Sequence, residues 1–293
     1  MKQLKNFIEL TRLNKPIGYM LLFWPCSWGL ALGYHYNQDL DKFLYFLFLF
    51  LAGSVLMRSA GCIVNDIVDR NIDKKIKRTK ERPLASGQVS LKVAFLYVVL
   101  LCFLAFIILI QFNNLTIFLG LGSMLLAFTY PFMKRITYWP QLFLGLTFNW
   151  GIIMAWASMH NSISLEVLML YISAIFWTLG YDTIYGAQDI VDDEIIGVKS
   201  TSIKFKSSIK LFVSVCFLIS SIILIVIIFD KMFLKSIFLF FSLFVISLIY
   251  QVAIFNKFKS ETCLKAFKIN NFSGMFLFLT LLQGSNFWNL IWN

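Results

Sequence analysis

The chain has 293 residues, of which 59% are hydrophobic and 14% charged, and its net charge is +11. A soluble domain is nearer half apolar and about a quarter charged, so the composition excludes an ordinary soluble globular protein. Five scattered cysteines without a Cys-x-x-Cys pair and two isolated histidines argue against a disulfide framework, a zinc site or a histidine-based centre.

In chain order, residues 1–18 are basic but lack the short apolar core and small-residue cleavage site of a signal peptide. They read as a basic amphipathic lead-in at the membrane surface. Long apolar runs follow, such as Phe43–Leu56, Val93–Ile110 and Leu211–Phe229. A helix needs roughly 20 apolar residues to cross a hydrocarbon core of about 30 Å. Breaks at Gly, Pro, Asn and charge runs divide the chain into about nine spans: 17–36, 43–67, 91–111, 115–133, 139–159, 164–187, 209–229, 234–255 and 271–290. The expectation is an all-α, polytopic transmembrane helical bundle that forms a single integral membrane domain over 1–293. No soluble domain fits between the spans.

Lys and Arg predict the orientation. With the N-terminus placed in the cytoplasm, the segments on that side carry 22 of the 26 basic residues and the opposite loops carry three, with Arg58 inside a span. Such a bias sets topology by the positive-inside rule, and the positive charge needs no nucleic-acid partner to explain it.

Eight of the 15 acidic residues fall in two windows, Asp66, Asp69, Asp73 and Asp182, Asp189, Asp192, Asp193, Glu194. Both lie at expected cytoplasmic span ends. Asn65, Asp69 and Asp73 recur every four residues, as do Asp189 and Asp193, and on a helix such residues share a face. Like charges at that spacing destabilise a helix, and ionised groups near hydrocarbon cost more. A divalent cation held between the two faces removes both penalties. The string Asp-Ile-Val-Asp at 66–69 recurs at 189–192, which predicts two pseudo-repeated halves around a central cavity. The repeat leaves open whether Asp66 or Asp69 is the counterpart of Asp189; the faces favour Asp69 and Asp73 opposite Asp189 and Asp193.

Mg²⁺ prefers a few carboxylates plus phosphate oxygens to an all-protein cage. The basic residues beside the clusters, Arg78, Arg82, Lys134, Arg135 and Lys199, are candidate phosphate partners. Arg58, a charge inside a span, is a candidate for an ion pair or a substrate carboxylate. Among the aromatic residues, Tyr130, Tyr181 and Tyr185 lie close enough to the motifs to stabilise a carbocation.

These residues resemble the UbiA-type membrane prenyltransferase superfamily. The likeness rests on Asn65-x3-Asp69-x3-Asp73, the Lys-Arg-Thr-x-x-Arg-Pro-Leu run at 77–84, Tyr130-x3-Lys134, and Tyr181-Asp182-x2-Tyr185 leading to Asp189-x3-Asp193. Within it the chain is most similar to the 4-hydroxybenzoate polyprenyltransferases, through Arg12–Gly18, Leu22–Pro25, Met57–Cys62, Tyr130–Arg135 with Pro140-Gln141, and Ile196–Thr201; Asn14 stands where that family usually has Asp. The resemblance implies Mg²⁺ held by Asp69, Asp73, Asp189 and Asp193 with support from Asn65, and a polyprenyl diphosphate contacted by Arg78 and Lys134, beside the further candidates Arg82 and Lys199. It implies a 4-hydroxybenzoate carboxylate on Arg58 and, less directly, Arg12. Diphosphate then leaves, an allylic cation forms, and the ring carbon ortho to the phenol attacks it, a step of ubiquinone synthesis at a bacterial inner membrane. Relatives with haem, naphthoate or chlorophyllide acceptors are the alternatives of the same kind. A cation transporter is the alternative of another kind, and it predicts Asp deep in mid-span rather than at span ends.

Overall fold

A computed structural model describes residues 2–74, 79–231 and 237–283. Among these, all regular structure is helical: α1 (Lys2–Thr11), α2 (Ile17–Asn37), α3 (Leu40–Asp73), α4 (Leu91–Leu109), α5 (Asn114–Ile136), α6 (Pro140–His160), α7 (Leu165–Gly186), a 3₁₀ turn (Ala187–Asp189), α8 (Ile190–Ile196), α9 (Thr201–Lys204), α10 (Ile209–Lys231), α11 (Ile237–Ile254) and α12 (Ser260–Gln283). Each expected span falls on one of the long helices. Six of them, α3 to α7 and α10, are long and apolar enough to cross a membrane by length and composition, and Phe238–Ile254 is a shorter apolar helix.

Local chemistry explains where helices begin. The side chains of Asp39, Ser90, Asn113, Ser164 and Ser200 accept from backbone amides three residues on, which satisfies amides that a helix start leaves without partners. Gln38 and Asn161 end α2 and α6 in the left-handed conformation, φ 51° at both.

α2 and α12 fall outside the six because they carry polar groups, and the packing shows why. The Trp24 indole donates to Asn271 Oδ1 at 3.0 Å, and the Trp28 indole donates to the Gly274 carbonyl at 2.9 Å. Similar bonds join α6 to α7 through Asn149 and Thr178 (2.8 Å) and α11 to α12 through Gln251 and Asn270 (2.8 Å). Helices in lipid gain little hydrophobic energy from association, so close packing and such interhelical bonds hold them. α2 packs on α3, α6 and α12, and α7 sits between α6 and α10. α4 buries only Ala94, Val98 and Leu101 and otherwise presents apolar side chains outward, as a lipid-facing helix does.

At the crossing of α2 and α6, a Cβ built on Gly29 would collide with the Ile152 carbonyl oxygen, a backbone atom that cannot rotate away. Gly29→Ala is therefore expected to separate the two helices and cost about 1–3 kcal/mol by overpacking. Thermal unfolding in detergent reads this as a lowered Tm, and an unchanged Tm refutes it.

Three features differ from the sequence expectation, the first being that α3 runs past the expected end at 67 through the aspartates to Asp73. The last helix begins at Ser260, about three turns before residue 271, because Ser260–Lys268 continues helically into the apolar stretch; 284–290 lie outside the described residues, as do 234–236. The second aspartate window is not one helix. The chain leaves α7 through the 3₁₀ turn and restarts as α8, with Asp189 at the junction (φ −113°, ψ 8°). The turn packs on α12, and the Gln188 amide donates to the Tyr185 carbonyl at 2.9 Å, so the tertiary packing redirects the chain between Asp189 and Asp193.

Candidate active site

The C-terminal turns of α3, α5 and α7 meet the N-terminal turns of α2 and α6 at one end of the bundle. They enclose a cavity of about 670 Å³. α3 continues unbroken through Asp73, so Asn65, Asp69 and Asp73 line it from a single helix; Asp189 and Asp193 line it from the turn and α8.

The α3 carboxylates are buried and each meets a cation. The Lys134 ammonium pairs with Asp69 Oδ2, and Arg135 Nη2 lies 3.5 Å from Asp69 Oδ1. Arg82 Nη1 lies 2.9 Å from Asp73 Oδ2 and 3.1 Å from Asp66 Oδ1. Arg12 Nη2 lies 2.6 Å from that same Asp66 oxygen. Burial opposes the charge on Arg12, but the neighbouring Cys62 and Asp66 outweigh it and hold the guanidinium above its ordinary pKa.

Asp69 Oδ1 is buried and makes no hydrogen bond. With Asn65 and the other carboxylates it supplies the hard oxygen donors that a divalent cation such as Mg²⁺ takes. Among the described residues, no three His, Cys, Asp or Glu side chains converge closely enough to form a ready cage. The residues thus fit a cation that completes its shell with ligand oxygens.

Arg58 stands apart from this ion-pair group. Its guanidinium carbon lies 5.4 Å from the centre of the Phe148 ring, and its Nε is buried without a hydrogen-bond partner. A Cβ on Gly18 would come within 3.1 Å of that Nε, so the glycine lets α2 pass close to the guanidinium. Asp182, Tyr130 and Tyr181 lie within electrostatic reach of Arg58. Tyr181 is 1% exposed, its hydroxyl has no partner, and its ring packs edge-on against Trp177 and Phe267. Tyr185 packs on Phe267 at 4.5 Å.

Arg58, Asn65, Tyr130, Pro131 and Phe148 also line a second cavity, of about 370 Å³, between α2, α3, α4, α5 and α6. Its other walls are mostly apolar, including Leu49, Phe50, Leu109, Phe112 and Met154, with Ser54, Ser123 and Thr147 among them. Phe106 and Leu121, which also line it, are exposed on the outer surface, and α4 and α5 touch each other little. The polar cavity therefore continues into an apolar chamber that reaches the lipid-facing side.

Most expected site residues are brought together: Asn65, Asp69, Asp73, Asp189, Asp193, Arg82, Lys134, Arg58, Tyr130, Tyr181 and Tyr185 share the first cavity. Arg12 and Lys199 line it too, each held by a partner of its own. Arg12 faces Asp66 rather than Arg58, because α1 anchors it there through the fully buried Leu10, packed with Ala60, Ile63 and Leu84. Lys199 reaches the wall, but its ammonium donates to the Ile136 carbonyl at 3.1 Å, at the carbonyl-rich end of α5. Arg78 lies outside the described residues. Asp66 and Asp182 were in the two acidic windows but not among the expected site residues. The paired arginines of Asp66 come from 54 residues before and 16 after it, a separation no helical period reveals. Phe267 carries no motif at all.

An integral membrane bundle with a buried carboxylate-and-cation mouth opening into an apolar chamber is built for an amphiphile with an anionic head. The chain belongs to the UbiA prenyltransferase family, whose sequence pattern matches residues 22–280. It is 40% identical over 280 residues to a 4-hydroxybenzoate octaprenyltransferase of Blochmanniella pennsylvanica, covering 95% of each chain. It is 46% identical over 211 residues to the mitochondrial 4-hydroxybenzoate polyprenyltransferase of Drosophila pseudoobscura pseudoobscura, covering 72% of this chain; the chain spans about half, 53%, of that relative's length. The fold is shared with a UbiA homolog from Archaeoglobus fulgidus bound to DMAPP and Mg²⁺, at a TM-score of 0.71 and 15% identity, covering 94% of this chain and 99% of that one.

Proposed function

We propose that this chain transfers a polyprenyl group from a polyprenyl diphosphate to the ring carbon ortho to the hydroxyl of 4-hydroxybenzoate, releasing diphosphate, as a step of ubiquinone synthesis. The observation that carries this reading is the junction of the two cavities. Arg58, Tyr130 and Phe148 stand where a polar mouth meets an apolar chamber, so an allylic carbon next to a diphosphate held in the mouth would lie at their level.

The roles follow from placement. Asp69, Asp73, Asp189 and Asp193, with Asn65, would hold Mg²⁺, which supplies neutralisation of the leaving diphosphate. Lys134 and Arg82 are already at the mouth and turn from carboxylate to phosphate oxygens. Concentrating cations where charge develops is the kind of stabilisation that dominates such catalysis. The Arg58 guanidinium, with an unused buried Nε, receives the benzoate carboxylate. The Tyr130 and Tyr181 rings face the developing carbocation. As the new C–C bond forms, the ring proton passes to a carboxylate of the site or to the departing diphosphate. The apolar chamber takes the prenyl tail and, opening beside α4 and α5, sets no fixed tail length. The basic-residue bias supports a cytoplasmic mouth and a bacterial inner-membrane location.

Membranes containing the chain, given 4-hydroxybenzoate and a polyprenyl diphosphate, are expected to form the prenylated product with Mg²⁺ and to lose at least about 100-fold of that rate in EDTA, in line with several kcal/mol of metal stabilisation. Product detected by chromatography at equal rates in EDTA sinks the mechanism. Turnover of another aromatic acceptor and not of 4-hydroxybenzoate sinks the substrate assignment alone.

A further inference from the structure

Asp66 lies between the motif residues Asn65 and Asp69, but its environment differs from theirs. It is 2% exposed, and its Oδ1 accepts from both Arg12 (2.6 Å) and Arg82 (3.1 Å). A carboxylate oxygen shared by two guanidiniums has little left to offer a metal ion. Arg82 touches Asp66 and Asp73 with one and the same nitrogen.

The two arginines are fixed from opposite directions. Arg12 follows α1 in the left-handed conformation, φ 56°, a strain that persists in a non-glycine residue only where its surroundings enforce it. Arg82 belongs to the 79–89 loop. That loop is tied to α3 by Thr79, whose hydroxyl donates to the Asp73 carbonyl at 3.1 Å, and by Arg70, whose Nε donates to the Leu84 carbonyl at 3.2 Å. Two guanidiniums brought this close repel each other unless an anion sits between them. Asp66 is that anion, and removing one member of such a buried group leaves the others uncompensated.

Its two neighbours on the same face behave differently. A cation bound at Asp69 and Asp73 competes with Arg82 for Asp73. Without a second anchor, Arg82 would be driven toward solvent just when the diphosphate needs it.

We propose that Asp66 is a positioning residue, the fixed counter-ion that keeps Arg12 and Arg82 at the mouth as a diphosphate clamp while Asp73 is handed to the metal. The inference rests on the prenyl-diphosphate reading given above. It moves Arg12 from the acceptor end of the site to the diphosphate end. Asp66 itself touches neither substrate nor metal; it acts through the two arginines.

Asp66→Asn keeps the shape and removes the charge. The experiment measures binding of a non-hydrolysable prenyl thiolodiphosphate to the purified full chain, by ligand-induced thermal shift and calorimetry, first without metal and then with Mg²⁺. It adds KM for both substrates in the membrane assay. The expected result is a 10- to 50-fold loss of analogue affinity with or without metal, a matching rise in KM for the diphosphate, KM for the acceptor within twofold of wild type, and partial recovery in Asp66→Glu. Wild-type analogue affinity in Asp66→Asn, or parallel rises in both KM values, overturns the proposal. If Asp66→Asn does not fold, as judged by size exclusion, Arg12→Gln and Arg82→Gln carry the test. Each must weaken metal-free analogue binding at least fivefold, and wild-type binding by either overturns the clamp. A wild-type chain that binds the analogue but leaves 4-hydroxybenzoate untouched overturns the function and leaves the clamp standing. A wild-type chain that does not bind the analogue overturns both.

Discussion

Asp69→Asn is expected to lower kcat/KM for prenyl transfer by about 10²–10³, the loss typical of removing a group that stabilises charge only as the transition state forms. The magnitude follows from what Asp69 combines. One of its oxygens, Oδ1, is buried, makes no hydrogen bond and is ion-paired with Arg135 Nη2 at 3.5 Å, a contact that a bound cation would displace; the other pairs with Lys134. An amide in its place offers a weaker ligand and no charge, and it leaves Lys134 without its partner. The fold should survive. Lys134 is 29% exposed at its side chain and can turn to water, so the heavy cost of stranding a buried charge does not arise. Removing one of two like charges spaced four apart on α3 also relieves a small repulsion. Size exclusion and the unfolding temperature should therefore match wild type while product formation is lost. A variant that keeps more than a tenth of the wild-type rate removes Asp69 from the centre of the mechanism.

The fold was legible wherever the signal was local. Apolar run length and breaks at Gly, Pro, Asn and charge runs located most ends of the long helices to within a few residues; the exceptions are α12 and the end of α3, which runs past 67 to Asp73. In α12, Ser260–Lys268 is too polar to read as part of a span, yet it continues helically into the apolar stretch. The site was legible in part for the same reason. Asn65, Asp69 and Asp73 were readable as one face because α3 continues through all three. Asp189 and Asp193 shared the same spacing, but the 3₁₀ turn against α12 interrupts their helix, and nothing in the spacing announces a contact with a helix 70 residues on. Pairing was the least legible level. Arg12 meets Asp66 because Leu10 docks α1 against α3 and the 79–89 loop, and Lys199 turns to the end of α5 because its own backbone amide bonds the Lys134 carbonyl at 2.8 Å. Both depend on tertiary contacts that charge alone does not specify.

Replacing Arg58 is expected to separate the effects on the two proposed substrates. Among the basic residues that line the cavity, Arg58 is the one set within the bundle at the level where mouth and apolar chamber join, and its buried Nε lacks a hydrogen bond. A free guanidinium nitrogen in that position suits the planar carboxylate of an aromatic acid. Arg58→Gln keeps much of the side chain's length, and hence its packing on Phe148 and beside Gly18, while removing the charge. Losing one partner of a buried, hydrogen-bonded charge pair costs about 2–5 kcal/mol. The expected result is therefore a fall in kcat/KM for 4-hydroxybenzoate of roughly 30- to 5,000-fold, carried mainly by KM for the acceptor. KM for the polyprenyl diphosphate should stay within a few-fold, because the mouth cations Arg82 and Lys134 are untouched. A phenol lacking the carboxylate is expected to be a poor acceptor for the wild type and to be used about equally well by both proteins. Arg58→Lys should recover only part of the loss, since an ammonium keeps the charge but not the two-pronged geometry. If Arg58→Gln instead raises KM for the diphosphate and leaves the acceptor unaffected, Arg58 belongs to the mouth, and the acceptor carboxylate must be held by another group of the cavity.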